Sequence, residues 1–542
     1  MKKGILSLGA AVAALCLLAG AAHAQEPADP TVVVTDQGPM AGVIGNGVRE
    51  FRGIPYALPP TGDRRWAPPQ PAKGWTGTLD ATRYASACPQ LERYGIPERS
   101  ENEDCLYLNV TAPAPGGKPA DGKKPVFVWI HGGGFVGGSS GLYDLSALAK
   151  AGDMVVVTMN YRLGVFGFMP HRAFADDDNG GYAFEDQREA LRWVQRNIAA
   201  FGGDPDNVTL AGESAGGASA CMQILAPDRS AGLFHKAILQ SAGCVHKLRS
   251  KEEAADAVGK RVAELVGCVG GDELKCLREK PVKELLEAGS TALAADLMAF
   301  APVHGSKALP LPGDEALATG KFLKVPLLHG GNTDELRLYV AYEMAGGKLT
   351  TRFTLKDRLA DIYGKDRVET ILKEYPVPGD LASASYFGGV RSDFDPTVGL
   401  NNCVYVRTAQ LAAKHVTVHQ YEFADPNAPD VVANPGMQMG AVHSAELPYQ
   451  FPGFSNTMAR DTPALTEVQR KVAAPMMAYW TSFARTGTPS GADLPAWPVF
   501  DPKKNNALRF GTGGALDFID VNAAHKCDFW KKQYPDRLDK TY

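Results

Sequence analysis

The sequence predicts an α/β fold, a central and mostly parallel sheet with helices on both faces. Two observations carry that prediction. Six short runs, at 126–130, 154–158, 208–211, 236–240, 325–329 and 416–421, are apolar almost throughout and do not alternate. Strands buried on both faces of a parallel sheet read this way. Helical patterns lie between them, as at 186–199 and 252–266, and strand–helix–strand repetition stacks helices on a sheet. In such sheets the chemistry gathers just past the carboxyl ends of the strands.

The ends of the chain and its composition narrow the class. Lys2 and Lys3 precede an apolar run over 6–20, and Ala22-His23-Ala24 follows as a small-residue cleavage site. That is the layout of a secretory signal peptide over 1–24, too short for a membrane span. Leu15 is too large for Cys16 to serve as a lipoprotein cysteine. Residues 25–542 are expected as one domain with large insertions, secreted or periplasmic. No later stretch is apolar enough to cross a membrane. The only linker-like segment, 113–124, joins two predicted strands and reads as an exposed loop. With 45% hydrophobic and 21% charged residues and a net charge of −4, the chain is ordinarily globular. It has no basic footprint for nucleic acid. Of nine cysteines, all but Cys16 lie in the exported part, where disulfides are expected.

Two segments match G-x-S-x-G, and with 58 glycines in the chain the pattern alone is weak. Gly137-Gly138-Ser139-Ser140-Gly141 follows a glycine run, with no strand before it, and reads as a loop. Gly212-Glu213-Ser214-Ala215-Gly216 instead follows the predicted strand 208–211 and precedes a helix-compatible stretch. A sharp strand-to-helix turn there lifts the Ser214 hydroxyl above the sheet edge, as in the nucleophile elbow of α/β-hydrolases. The helix N-terminus turns amide groups toward whatever the serine attacks.

The remaining parts of an acyl-transfer site follow from this choice. Past strand 126–130 comes His131-Gly132-Gly133-Gly134, similar to the H-G-G-G motif of lipases and esterases. The oxyanion donors are read as the amides of Gly133, Gly134 and Ala215. The fold orders its residues as serine, acid, histidine. Strand 325–329 is followed by Asp334 and Glu335, between which spacing does not choose. Of the four later histidines, His415 and His419 fall before or inside a strand and His525 sits near the C-terminus. Only His443 lies on a long loop past a strand.

With these residues in place the chain resembles the type B carboxylesterases, the carboxylesterase and cholinesterase family. The motifs that carry the likeness are Phe51-Arg-Gly-Ile-Pro-Tyr-Ala57, Glu103-Asp-Cys-Leu-Tyr-Leu-Asn109, Asn160-Tyr-Arg-Leu-Gly164, Gly180-Gly-Tyr-Ala-Phe-Glu-Asp-Gln187 and Trp497-Pro-Val-Phe500. The resemblance implies Glu335 as the acid and supports His443. It implies buried ion pairs Arg65–Glu103 and Arg162–Asp186, and polar supporting residues Glu213, Ser241 and Glu446. It implies the disulfides Cys88–Cys105, Cys268–Cys276 and Cys403–Cys527. Cys221 and Cys244 have no family partner and are read as buried thiols rather than a fourth bridge.

The implied function is hydrolysis of a small-molecule carboxylic ester through a Ser-Glu-His triad and an acyl-enzyme, with activity falling below about pH 6.5 if the histidine is unperturbed. No cofactor is needed. No metal is implied either, because the acidic turn at 176–180 lacks the terminal Glu of a calcium loop. The alternatives are a non-catalytic binding protein of the same family, or an acyltransferase or amidase on the same machinery. The Cys88–Cys105 loop has no Trp for choline, only Tyr94. Arg337 falls where the family often has a small residue, which admits a bulky or anionic, polycarboxylic acyl group. Phe300, Leu338 and Tyr339 are the candidate pocket walls. Oligomeric state is not readable from the sequence.

Overall fold

The structure, a computed structural model, describes residues 1, 29–93, 96, 98–114, 123–377, 379, 382–454 and 464–540. The expected signal peptide (Met1 apart), most of the 113–124 loop and Tyr94 lie outside the described residues.

Eleven strands form the main sheet: β1 (Val43–Gly45), β2 (Val48–Pro55), β3 (Tyr107–Pro113), β4 (Lys124–Ile130), β5 (Val155–Met159), β6 (Gly203–Glu213), β7 (Lys236–Gln240), β8 (Leu327–Asn332), β9 (Val418–Phe423), β10 (Asn506–Phe510) and β11 (Leu516–Asp520). Their order across the sheet is β11-β10-β9-β8-β7-β6-β4-β5-β3-β2-β1. The pairs from β10 through β5 are parallel, and both margins are antiparallel. All six apolar runs lie in this parallel block. Residues of β5, β7, β8 and β9 are buried throughout, which is why their sequences show no alternation. The antiparallel margins were not anticipated: β1 and β11 are short and largely exposed, so they carry no continuous apolar signal.

The helices that shape the site are α1 (Tyr182–Asn197), α2 (Ala215–Ile224), α3 (Val282–Ala295), α4 (Arg337–Ala345), α5 (Ser383–Asp393), α6 (Asn402–Ala412) and α7 (Glu467–Thr486). The helix expected over 252–266 is present but passes through a π-helical turn at Ala255–Gly259. None of the described helices is long and apolar enough to cross a membrane.

Covalent and ionic ties hold the loops above the sheet. Arg65 Nε donates to Glu103 Oε1 at 2.7 Å, and Arg162 forks onto both oxygens of Asp186 at 2.8 and 2.7 Å. Disulfides join Cys88–Cys105, Cys268–Cys276 and Cys403–Cys527. A fourth joins Cys221 to Cys244, which corrects the reading of these two as thiols. Cys221 lies on α2 after β6, and Cys244 lies four residues past β7. Because β6 and β7 are parallel neighbours, both cysteines emerge at the same end of the sheet, with Cα atoms 5.8 Å apart. That separation is within disulfide reach.

Candidate active site

β6 ends at Glu213 and the chain turns into α2 through Ser214, whose φ and ψ are 58° and −127°. A non-glycine residue at positive φ is strained, and such strain gathers where function demands it. The turn closes only because its flanks are bare. A Cβ on Gly216 would stand 2.0 Å from the carbonyl oxygen of Ile130, and one on Gly212 would stand 2.4 Å from the carbonyl carbon of Gly216. The competing motif is different in kind. Ser139 has ordinary extended backbone, and its hydroxyl donates to Glu98 at 2.7 Å.

Three loops past neighbouring strand ends converge on Ser214. His443, on the loop after β9, places Nε2 2.8 Å from Ser214 Oγ and Nδ1 2.6 Å from Glu335 Oε2. Glu335 follows β8 and is fully buried. Its other oxygen accepts the backbone N–H of Asn332 at 2.8 Å. The Asn332 side chain donates to Val442 O at 2.7 Å and to Glu446 Oε2 at 2.6 Å, so one amide ties the acid loop to the histidine loop. Gly133, Gly134 and Ser214 line one pocket, and Ala215 opens α2 directly behind the serine.

The charges are unbalanced around the imidazole. Glu213 Oε1 lies 3.2 Å from His443 Nε2 and accepts Ser444 Oγ at 2.8 Å. Glu446 also accepts Gln240 Nε2 at 3.1 Å. Burial alone would press His443 down, but the carboxylates of Glu213 and Glu335 outweigh it and lift the ring to about 9. Burial raises both Glu213 and Glu446. Glu446 adds to the rise at Glu213, and the carboxylates about the imidazole set the direction for His443 upward. Ser241, at φ 48°, is buried one residue past β7 and donates its N–H to Gly330 O at 2.8 Å.

The pocket beside Ser214 is lined by Ile96, Gly132–Gly134, Leu142, Tyr143, Glu213, Leu338, Tyr339, Tyr342, His443, Ser444 and Phe454. Leu338 and Tyr339 are where the sequence put them, the Tyr339 ring 5.8 Å from that of His443. Phe300 is not: it lines a separate apolar cavity with Leu286, Leu293 and Val165. Arg337 is also turned away. Its Nε donates to Ser385 O at 3.0 Å and its Nη2 pairs with Asp334 Oδ1 at 3.0 Å, so the reading of Arg337 as an anion-binding wall is corrected. About half a helical turn separates Arg337 from Tyr339, and residues two apart on a helix face different sides. The sequence missed Tyr143, Tyr342 and Phe454, which come from three distant segments with no motif in common. Among the described residues, no cluster of three or more His, Cys, Asp or Glu is placed to hold a metal.

Comparison with known proteins adds a family-level finding. Residues 29–530 match the model described as the carboxylesterase family. The chain is 34% identical to the cocaine esterase of Homo sapiens, over 98% of this chain and 96% of the relative. It is also 34% identical to the fumonisin B1 esterase of Sphingopyxis macrogoltabida, over 96% and 95%. Among solved structures, a carboxylesterase of Geobacillus stearothermophilus superposes with a TM-score of 0.76 at 34% identity, covering 92% of this chain and 99% of that one.

Proposed function

From a chain that belongs to the carboxylesterase family, has the α/β-hydrolase fold and is a carboxylic ester hydrolase, we propose that catalysis runs through Ser214, His443 and Glu335. The single observation that carries this is His443 held between Ser214 Oγ at 2.8 Å and Glu335 Oε2 at 2.6 Å. With its proton on Nδ1 toward Glu335, the ring presents a bare Nε2 to the serine hydroxyl. His443 takes that proton as Oγ attacks the ester carbonyl. The oxyanion forms against the amides of Gly133, Gly134 and Ala215, a contribution worth on the order of 10²–10³ per donor. The alcohol leaves with the proton from His443. Water then enters by the same base and frees the acid. The imidazolium formed midway sits among Glu213, Glu335 and Glu446, which stabilise it.

The pocket favours neutral esters over anionic ones. Its described lining holds the carboxylate of Glu213 and the faces of Tyr143, Tyr339, Tyr342 and Phe454, with no Lys or Arg. The space beside Ser214 is narrow and walled by these rings. Four disulfides support export to an oxidising compartment. The test is covalent labelling by an organophosphate. Wild type should take up one equivalent and Ser214→Ala none, with turnover down by about 10⁶; labelling that survives in Ser214→Ala moves the nucleophile elsewhere.

A further inference from the structure

We infer that Asp334 and Arg337 form a brace that positions His443, an inference that rests on the triad reading above. The residue next to the proposed acid touches neither Ser214 nor His443. Instead Asp334 is stitched to the histidine loop by two bonds, one from its backbone and one to its side chain. Its N–H donates to Ala441 O at 2.9 Å, and its Oδ2 accepts Ala441 N–H at 3.1 Å. Ala441 stands two residues before His443. His443 N–H in turn donates to Glu335 O at 3.2 Å, so the loop and the acid turn run side by side.

Arg337 closes the brace from the other side. Its Nη2 holds Asp334 Oδ1 at 3.0 Å, Nε donates to Ser385 O at 3.0 Å, and Nη1 reaches Met439 O at 3.5 Å. Ser385 Oγ accepts Gln438 N–H at 2.9 Å. One guanidinium thus gathers the acid turn, α5 and residues 438–441 into a single unit. A lysine has one donor group where this fork uses three directions. The close fit is visible at Gly440, where φ is +72°. A Cβ there would stand 2.2 Å from Asp334 Oδ2 and 2.9 Å from Arg337 Nη1.

The outer face of the brace does not open on the substrate pocket. Asp334 and Arg337 line a separate cavity of about 370 Å³ with Tyr375, Asp393, Glu422, Arg509, His525 and Lys526. There Arg509 pairs with Glu422 at 3.1 Å and Lys526 with Glu374 at 3.0 Å. Arg337 is therefore spent on protein groups, and its part in the reaction is geometric. A displacement of His443 by an ångström is enough to cost about a hundredfold in rate.

The experiment compares Arg337→Met and Arg337→Lys on a neutral p-nitrophenyl ester and on its counterpart bearing an acyl-chain carboxylate. Rates are divided by active sites titrated with an organophosphate, so misfolded protein does not count. The expected result is a kcat per site lowered between about tenfold and a hundredfold on both esters, with KM unchanged and no rescue by Lys. Asp334→Asn combined with Arg337→Met should be no worse than either alone, since both break one unit. Gly440→Ala, which leaves both brace residues in place, should lower kcat the same way. Wild-type kcat per site in Arg337→Met overturns the brace. So does a KM that rises for the carboxylate ester alone and is restored by Lys. A wild-type chain that takes up no organophosphate would instead sink the triad reading.

Discussion

The molecule holds two buried histidines of nearly the same first description. His443 Nδ1 lies 2.6 Å from Glu335, and His525 Nδ1 lies 2.6 Å from Asp393. They differ at the other nitrogen. Nε2 of His443 meets a serine hydroxyl at 2.8 Å, whereas Nε2 of His525 meets a second carboxylate, Glu422, at 3.3 Å. Burial would lower His525, but Asp393 and Glu422 outweigh it and lift the ring to about 10. Glu422 is held at about 2 despite its burial, with His525 as the leading opposing charge. One ring faces something it can deprotonate. The other is a fixed cation between two anions. A carboxylate behind a histidine thus does not make a base; what stands in front of it does.

The comparison breaks most sharply if the two carboxylates are exchanged for amides. Glu335→Gln should lower kcat/KM by about 10⁴, through loss of the ring's orientation and tautomer. Asp393→Asn should leave kcat per titrated site unchanged, and equal losses in both would erase the distinction.

The next effect is on stability. His525→Gln takes the cation from Asp393 and leaves Glu422 with Arg509 alone, at a cost of about 3 kcal/mol, read from urea unfolding. The sign with pH follows from the shifts. A folded-state value of about 10 against about 6.5 unfolded means the His525 contribution is complete below about pH 6.5. It is lost as pH rises toward 10. The Glu422 share is lost on the other side, as pH falls from the ordinary carboxylate range toward 2. The thermal midpoint of wild type should therefore decline between pH 6.5 and 10, and that slope should flatten in His525→Gln. An unchanged slope would remove the pair from the account.

The smallest effect sharpens the other half. Glu213→Gln removes an anion 3.2 Å from His443 Nε2, which lowers the ring's affinity for its proton. The acid limb of the pH–rate profile should move to lower pH, with a modest change in the plateau. A limb that stays in place would mean that Glu213 does not act on the ring.

How much of this was legible depended on whether the information was local. The parallel strands declared themselves because burial on both faces forbids polar residues over several positions, and β7 was located to the residue. Ser214 was recognisable because its G-x-S-x-G follows a strand run and opens a helix-compatible stretch; the five letters alone also fit 137–141. His443 was found by elimination along the chain, and His525 was set aside by its place near the C-terminus. Direction was not legible. Arg337 and Phe300 were both read as pocket walls, but which way each side chain turned depended on packing that the sequence does not print: Ser385, 48 residues from Arg337, takes its Nε–H, and Phe300 lines a cavity with Leu286 and Val165. The same holds for Cys221 and Cys244, whose meeting requires knowing that β6 and β7 are neighbours. The aromatic wall of Tyr143, Tyr342 and Phe454 is assembled from three segments that share no pattern.

The Cys403–Cys527 bridge changes what counts as the continuity of this chain. It spans 124 residues, and the loop it closes contains His443. If the backbone is cut once anywhere between those cysteines, the two pieces remain one covalent molecule, with Ser214 and His443 still tethered to each other. In this region, integrity is a property of the ring and not of the thread.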